Sequence, residues 1–307
     1  MFLLLAAVYL GWTLGANNTA NVFGPGVTSE IISYRLAIIL TAGFVVLGAV
    51  IEGPKVMDTV GRFTTLSVST ASLAVLSAAI TVTLMTFLKL PVSTSQAILG
   101  AIMGIAIFTG GWSSVPQVKL IRILLCWLFT PFGAMIISIV LFVTLAPIIN
   151  KIRSFITFAL SMKVGIVVVG CYGAYTLGAN NVANVTGAFV GTDLIDPLGG
   201  ALIGGIAIGV GALTYSRGVM ISVGRRIFPL GSFSALVAIL AAAITLHVFT
   251  ELRVPVSNSQ AIVGAVAGIG LIRGTRAINR RMIFSILCGW IATPLVAAAL
   301  SFSLQIL

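Results

Sequence analysis

Acidic residues are nearly missing from this sequence: six Asp and Glu stand among 307 residues, beside one His and 17 Lys and Arg. Charged residues make up 7% of the chain, where a soluble domain carries roughly 25%, so they are too few to cover a surface facing water. The three cysteines, Cys126, Cys171 and Cys288, form no CxxC pair, and neither a disulfide framework nor a thiolate metal site is implied. No Walker motif, Ser/His/Asp triad or cluster of metal ligands is present, so an enzyme is not expected and no organic cofactor is implied. Basic tracts interleaved with aromatics are also missing. The net charge of +11 therefore reads as loop charge of a membrane protein, and no nucleic-acid partner is expected. The ten-residue alternation of a transmembrane β-barrel is absent too.

What fills the chain instead is apolar sequence, 59% of all residues. It resolves into segments at approximately 1–22, 31–52, 64–88, 93–110 and 117–149, then 163–188, 198–216, 231–250, 257–272 and 279–305. Most are long enough for a helix to cross a bilayer, which takes about 20 residues. The fold class is an all-α polytopic membrane protein in a lipid bilayer. The first segment lacks a basic n-region, so it is read as a span and not as a removable leader.

The chain is written twice. Gly15-Ala-Asn-Asn-Thr-Ala-Asn21 returns as Gly178-Ala-Asn-Asn-Val-Ala-Asn184, and Val60-Gly-Arg62 as Val223-Gly-Arg225, both 163 residues on. Pro91-Val-Ser-Thr-Ser-Gln-Ala-Ile98 returns as Pro255-Val-Ser-Asn-Ser-Gln-Ala-Ile262, and Thr130-Pro131 as Thr293-Pro294. Residues 1–150 form one transmembrane repeat and 151–307 a second. Five crossings per half invert the second repeat, whereas a fourth segment that only re-enters would leave the halves parallel; a pair of segments that re-enters together would leave the parity unchanged. With five crossings, twelve Lys and Arg gather on one side (among them Lys89, Arg217, Arg225, Arg226, Arg273, Arg276, Arg280 and Arg281) against five on the other. The excess of basic residues in cytoplasmic loops therefore favours two inverted five-segment repeats with broken or re-entrant helices, and puts the N-terminus outside.

Two motifs carry chemistry. In Pro91-Val-Ser93-Thr94-Ser95-Gln96 and Pro255-Val-Ser257-Asn258-Ser259-Gln260, a proline and a serine with glutamine three residues later mark a helix start. The short helices that follow begin below the membrane surface, and a helix N-terminus rich in hydroxyls is a site for an oxyanion. The alternative is a pair of ordinary interface caps. In the asparagine motif, Asn17, Asn18 and Asn21, with Asn180, Asn181 and Asn184, bring amides that lipid cannot satisfy. Flanking glycines and Pro25 suggest a broken helix whose freed carbonyls, with the amides, ligate an alkali cation or donate to an anion. Amide contacts between packed helices are the plainer alternative. Glu52 is a candidate cation ligand or an interface partner of Lys55. Glu251 reads as a loop pair with Arg253, His247 as an isolated interface residue, and Pro131 and Pro294 as kinks or hinges.

"GANNTANVFG" with "GANNVANVTG", and "PVSTSQAILGAIMG" with "PVSNSQAIVGAVAG", resemble the inorganic phosphate transporter (PiT) family over essentially the whole chain. The resemblance implies a symporter of inorganic phosphate with sodium or protons, inverted repeats, termini outside an inner (plasma) membrane, and commonly a homodimer. It implies phosphate at Ser93, Thr94, Ser95, Gln96, Ser257, Asn258, Ser259, Gln260, Asn18 and Asn181. It places co-transported sodium at Asn17, Asn21, Asn180 and Asn184, to which Glu52 is added as the candidate cation ligand read from the residues. The family signature usually reads Gly-Ala-Asn-Asp-Val-Ala-Asn, whereas this chain has Asn18 and Asn181 at the aspartate positions. A neutral amide cannot take up a proton, so the expectation is sodium coupling and alternating access around a midplane site. A sulfate or other oxyanion symporter, a proton-coupled phosphate symporter, an anion channel and a receptor or structural membrane protein are the rivals.

Overall fold

A computed structural model describes residues 2–87, 92–227, 230–274 and 280–306, and is built of α-helices, with no strand among the described residues. Lys89, Pro91 and Arg276 lie outside the described residues, as do the side chains of Arg225, Arg226, Arg280 and Arg281. The first half holds α1 (Leu5–Val22), α2 (Gly24–Thr28), α3 (Tyr34–Glu52), α4 (Pro54–Gly61), α5 (Val68–Phe87), α6 (Thr94–Gly110) and α7 (Gln117–Ile149). The second holds α8 (Phe155–Val190), α9 (Pro197–Ile227), α10 (Ser232–Glu251), α11 (Asn258–Arg273) and α12 (Arg280–Leu304). Short polar turns start the apolar helices: Ser33 caps α3 by accepting from the Leu36 N–H at 3.3 Å, and Ser154 caps α8 by accepting from the Thr157 N–H at 3.4 Å. Among the described residues seven helices, α5 and α10 included, are long and apolar enough to cross a membrane.

Small residues set how the helices pack. A Cβ on Gly15 would lie 1.9 Å from the Ile208 carbonyl oxygen, and one on Gly178, its repeat counterpart, 2.0 Å from that of Val45. The backbones touch, as in membrane interfaces where dispersion replaces the hydrophobic effect. These contacts also give direction. Gly11 meets Ala207 and Gly15 meets Ala212, so α1 and α9 run parallel. Gly205 meets Ala49 and Gly209 meets Ala42, so α9 runs against α3. Gly48 meets Tyr175 and Gly53 meets Val182, so α3 and α8 run parallel. Hence α8 runs opposite to α1, its counterpart, and the repeats are inverted.

Each half holds five long segments, and two of the five form the re-entrant pair that the parity of the sequence left room for. Trp127 of α7 reaches Pro255, and Phe142 packs on Phe233 with centroids 5.1 Å apart, so α7 runs against α10. Gly264 meets Pro131 and Gly268 meets Met135, so α11 runs with α7 and returns along α10. The Arg273 guanidinium closes the pair by donating to Ser234 Oγ at 3.1 Å. Helices α10 and α11 therefore form a hairpin, and α5 and α6 are its repeat counterpart. Each half has three crossings and a hairpin among the described residues. Both segments of a pair re-enter together, which keeps the parity odd. Helices α7 and α12 continue through Pro131 and Pro294, and these prolines seat the returning arms at Gly264 and Gly100. Both termini fall on one side with Lys55, Arg62, Lys119 and Arg122. Arg35, Lys151, Arg153, Lys163, Arg217 and Arg273 fall on the other, in line with the division of charge read from the sequence.

Candidate functional site

The two hairpins enter from opposite sides and meet at their tips. Ser93 caps α6 by accepting from the Gln96 N–H, and Ser257 caps α11 by accepting from the Gln260 N–H, both at 3.3 Å. The Ser95 hydroxyl crosses to the Val256 carbonyl at 2.9 Å, and the Ser259 hydroxyl to the Val92 carbonyl at 3.1 Å. The Ser257 and Ser259 hydroxyls share a hydrogen bond of 2.8 Å. Two helix N-termini thus point at one interior region, each contributing about half a positive charge. Only the serine half of each capping box forms, because the Gln96 and Gln260 side-chain oxygens have no partner.

The asparagine motifs lie beside these tips, but they are not unwound. Helix α8 runs unbroken from Phe155 to Val190 through Asn180–Asn184, and α1 runs through Asn17–Asn21 to Val22. Gly15 and Gly178 serve close packing, but the break suggested by the flanking glycines and Pro25 is present just past the first motif: α1 stops at Val22 and α2 begins at Gly24, and Pro25 has no N–H to donate to the Asn21 carbonyl. The amides do different work from one another. Asn180 Nδ2 donates to Thr250 Oγ1 and to the Val254 carbonyl, both at 3.1 Å, and its Oδ1 accepts from the Val256 N–H at 2.9 Å. Asn17 Nδ2 donates to Thr86 Oγ1 at 2.9 Å, the equivalent bond in the other repeat. Asn184 Nδ2 bridges Ser95 Oγ at 3.0 Å and Asn181 Oδ1 at 3.1 Å, while Asn21 Nδ2 reaches Asn18 Oδ1 at 3.5 Å. Asn258 Nδ2 donates to the Asn18 carbonyl at 3.4 Å.

Apart from Thr86, which is half-buried, none of these serines, threonines, asparagines and glutamines is more than 5% exposed, so the region is closed from both sides. Within it Thr94 Oγ1, Gln96 Oε1, Asn181 Nδ2, Asn184 Oδ1 and Gln260 Oε1 are buried without a hydrogen-bond partner. Leaving such a group unpaired costs roughly 1–3 kcal/mol. Five in one place mark a region organised to receive a polar guest. The Thr94 hydroxyl, the Asn181 amide N–H and the helix-end N–H groups suit an anion. The three carbonyl-type oxygens are hard neutral ligands that suit an alkali cation.

Glu52 stands apart from the asparagines. Its Oε2 lies 3.2 Å from His247 Nε2 and its Oε1 3.7 Å from Lys55 Nζ. His247 is not isolated, since its Nδ1 meets the Tyr172 hydroxyl at 2.8 Å. Glu251 pairs with Lys55 at 2.6 Å and not with Arg253, and this bond is the main cause holding the Lys55 ammonium above its ordinary pKa. Glu52, His247 and Glu251 offer ligand atoms within 4.8 Å of one another, but Lys55 sits against both carboxylates and supplies the positive charge. The sequence offered the Glu52–Lys55 pair, but it missed His247 and Glu251 as members of the group, because they come from a distant helix. An open basin of about 910 Å³ on the side of the termini is lined by Asp58, Arg62, Lys119, Asp193 and Asp196, and by none of the motif residues.

Comparison with known proteins agrees with this geometry. Residues 14–165 and 150–301 each match the profile of the Phosphate transporter family. Relatives named "Putative phosphate permease" include one from Methanocaldococcus jannaschii, 29% identical over 299 residues, which span 97% of this chain and 94% of the relative. Another, from Thermococcus kodakarensis, is 26% identical over 378 residues, spanning 95% of this chain and 93% of the relative. A solved structure titled "The sodium-dependent phosphate transporter" superposes with a TM-score of 0.89 at 21% identity, covering 100% of both chains.

Proposed function

The chain belongs to the phosphate transporter family, and from that premise we propose that it imports inorganic phosphate by symport with sodium, alternating access around the closed region between the hairpin tips. The observation that carries this reading is the set of five unpartnered buried atoms, which divides into anion donors and cation acceptors. Phosphate is held by the Thr94 hydroxyl, the Asn181 amide and the N–H groups at the starts of α6 and α11. Ser93, Ser95, Ser257, Ser259, Asn258 and Asn18 shape its surroundings. Sodium is held by Asn184 Oδ1 with the Gln96 and Gln260 oxygens, and Asn21 lies at the equivalent place in the first repeat. Asn17 and Asn180 hold the hairpin tips, and Glu52 stays with Lys55 and His247. Sodium beside the anion makes each raise the affinity for the other. The structural neighbour named for sodium dependence supports this choice of cation. The division of basic residues supports termini outside the inner membrane, with repeats 1–150 and 151–307 as the two halves. The working unit in this reading is a homodimer.

Calorimetric titration of the purified protein with phosphate tests the coupling. Sodium in place of choline is expected to tighten phosphate binding by about tenfold, within the usual range of coupling between sites. Equal affinity in the two salts would remove sodium from the site.

Asn181 gives a second test. It is 1% exposed, and its Nδ2 is buried without a partner. Asn181→Leu is expected to weaken phosphate binding by about tenfold, the scale of one hydrogen bond to a charged group. Unchanged phosphate affinity would place Asn181 outside the anion site.

A further inference from the structure

The tip of the second hairpin is an extended segment inside a helical membrane protein, where unpaired backbone is costly. Five consecutive carbonyls there are each satisfied by a side chain. Arg122 donates to Leu252 at 3.1 Å, Thr59 to Arg253, Asn180 to Val254 at 3.1 Å, Trp127 to Pro255 at 3.3 Å and Ser95 to Val256 at 2.9 Å. The donors come from α4, α6, α7 and α8, so the tip is tied to both repeats. Just before this run, Glu251 is bound to Lys55 of α4.

Three of these five donors recur in the first repeat's sequence. Asn17, Trp290 and Ser259 stand at the counterpart positions, and Ser259 does donate to the Val92 carbonyl at 3.1 Å. The outer residues do not recur in the sequence: at the counterparts of Thr59, Arg122, Lys55 and Glu251 stand Ser222, Ser285, Gly218 and Phe87. The four outer residues lie on the side of the termini, toward which the second tip points.

We propose that Arg122, Thr59 and the Lys55–Glu251 pair form a latch that holds the tip of the second hairpin, and that this latch sets how readily the site opens toward the side of the termini. Arg122 is its principal positioning residue, because its charged N–H group holds the first of the five carbonyls. The inner contacts through Asn180, Trp127 and Ser95 keep the tip formed, while the outer ones fix it to α4 and α7. Rupture of the outer contacts frees the tip without unfolding it. The inference rests on the transport reading for its role, though not for its geometry.

Val254 is 1% exposed beneath the latch and serves as a reporter. Val254→Cys is made in a chain whose Cys126, Cys171 and Cys288 are replaced by alanine. A membrane-impermeant thiol reagent is applied to right-side-out and to inside-out vesicles in choline. Arg122→Gln is expected to raise the labelling rate roughly five- to tenfold, the scale of one charged hydrogen bond at a partly exposed site. The rise should be confined to vesicles that expose the side of the termini, and Arg122→Lys should restore most of the protection. Thr59→Val provides the same test should Arg122→Gln not yield folded protein. Unchanged labelling, or an equal rise from both sides, would overturn the latch. Phosphate uptake is measured on the same preparations. One-sided labelling with no uptake by the native protein would sink the transport reading and leave the latch standing; normal uptake with unchanged labelling would do the reverse.

Discussion

Replacing Asn184 by leucine, close in size but without polar atoms, is expected to lower phosphate uptake by at least about a hundredfold while the protein still reaches the membrane folded. Asn184 links the two kinds of motif. Its Nδ2 holds both the Ser95 hydroxyl of the first hairpin and Oδ1 of Asn181, and its own Oδ1 is buried without a partner. Leucine would remove a cation ligand and at the same time deprive two neighbours of a donor. Its repeat counterpart is a built-in comparison, because Asn21 reaches Asn18 at 3.5 Å and, among the described residues, makes no hydrogen bond to the second hairpin. Asn21→Leu is therefore expected to cost about a tenth as much, on the scale of one weak hydrogen bond. Uptake normalised to the amount of monodisperse protein checks both, and equal losses would mean that the two repeats contribute alike.

The second large effect is structural. Gly178→Ala is expected to prevent recovery of folded protein, since a Cβ there would sit 2.0 Å from the Val45 carbonyl oxygen and 3.0 Å from the Ala49 nitrogen. Both neighbours are backbone of α3 and cannot turn aside as a side chain would. Overpacking of this kind costs about 3 kcal/mol or more. Gly15→Ala repeats the clash against Ile208 in the other half. Gly43→Ala, with nothing within 4 Å of its added carbon, is the control and should behave as the native protein. Size-exclusion chromatography after solubilisation, with a thermal melt, separates these outcomes. Normal recovery of Gly178→Ala would show that α3 and α8 are less closely packed than the structure has them.

The same glycines explain what was and was not legible in the sequence. The repeat and the two hydroxyl-rich helix starts could be read directly, because Ser93 and Ser257 are caps of a familiar kind and both form. Odd parity was also legible from the charge of the loops. The pairing of α10 with α11 was not, since a hydrophobic run does not record whether it crosses or returns. Gly15 and Gly178 read as helix breakers by the logic of soluble proteins, yet here they let backbones touch and the helices run on. The role of Asn180 was hidden for another reason. Its partners Thr250, Val254 and Val256 lie some seventy residues away, and nothing local to the motif tells a clamp from an ion ligand. The group of Glu52, Lys55, His247 and Glu251 was obscure because its symmetry is broken: Tyr215 stands where a second Glu52 would be.

Substituting Asn18 and Asn181 for the family's usual aspartates leaves the site without a carboxylate to carry a proton, so sodium coupling is the central claim. It is tested most directly by uptake of radiolabelled phosphate into proteoliposomes with sodium and proton gradients imposed separately. An inward sodium gradient at equal pH is predicted to drive accumulation, and a proton gradient without sodium is predicted to drive none. Accumulation under the proton gradient alone would contradict the account.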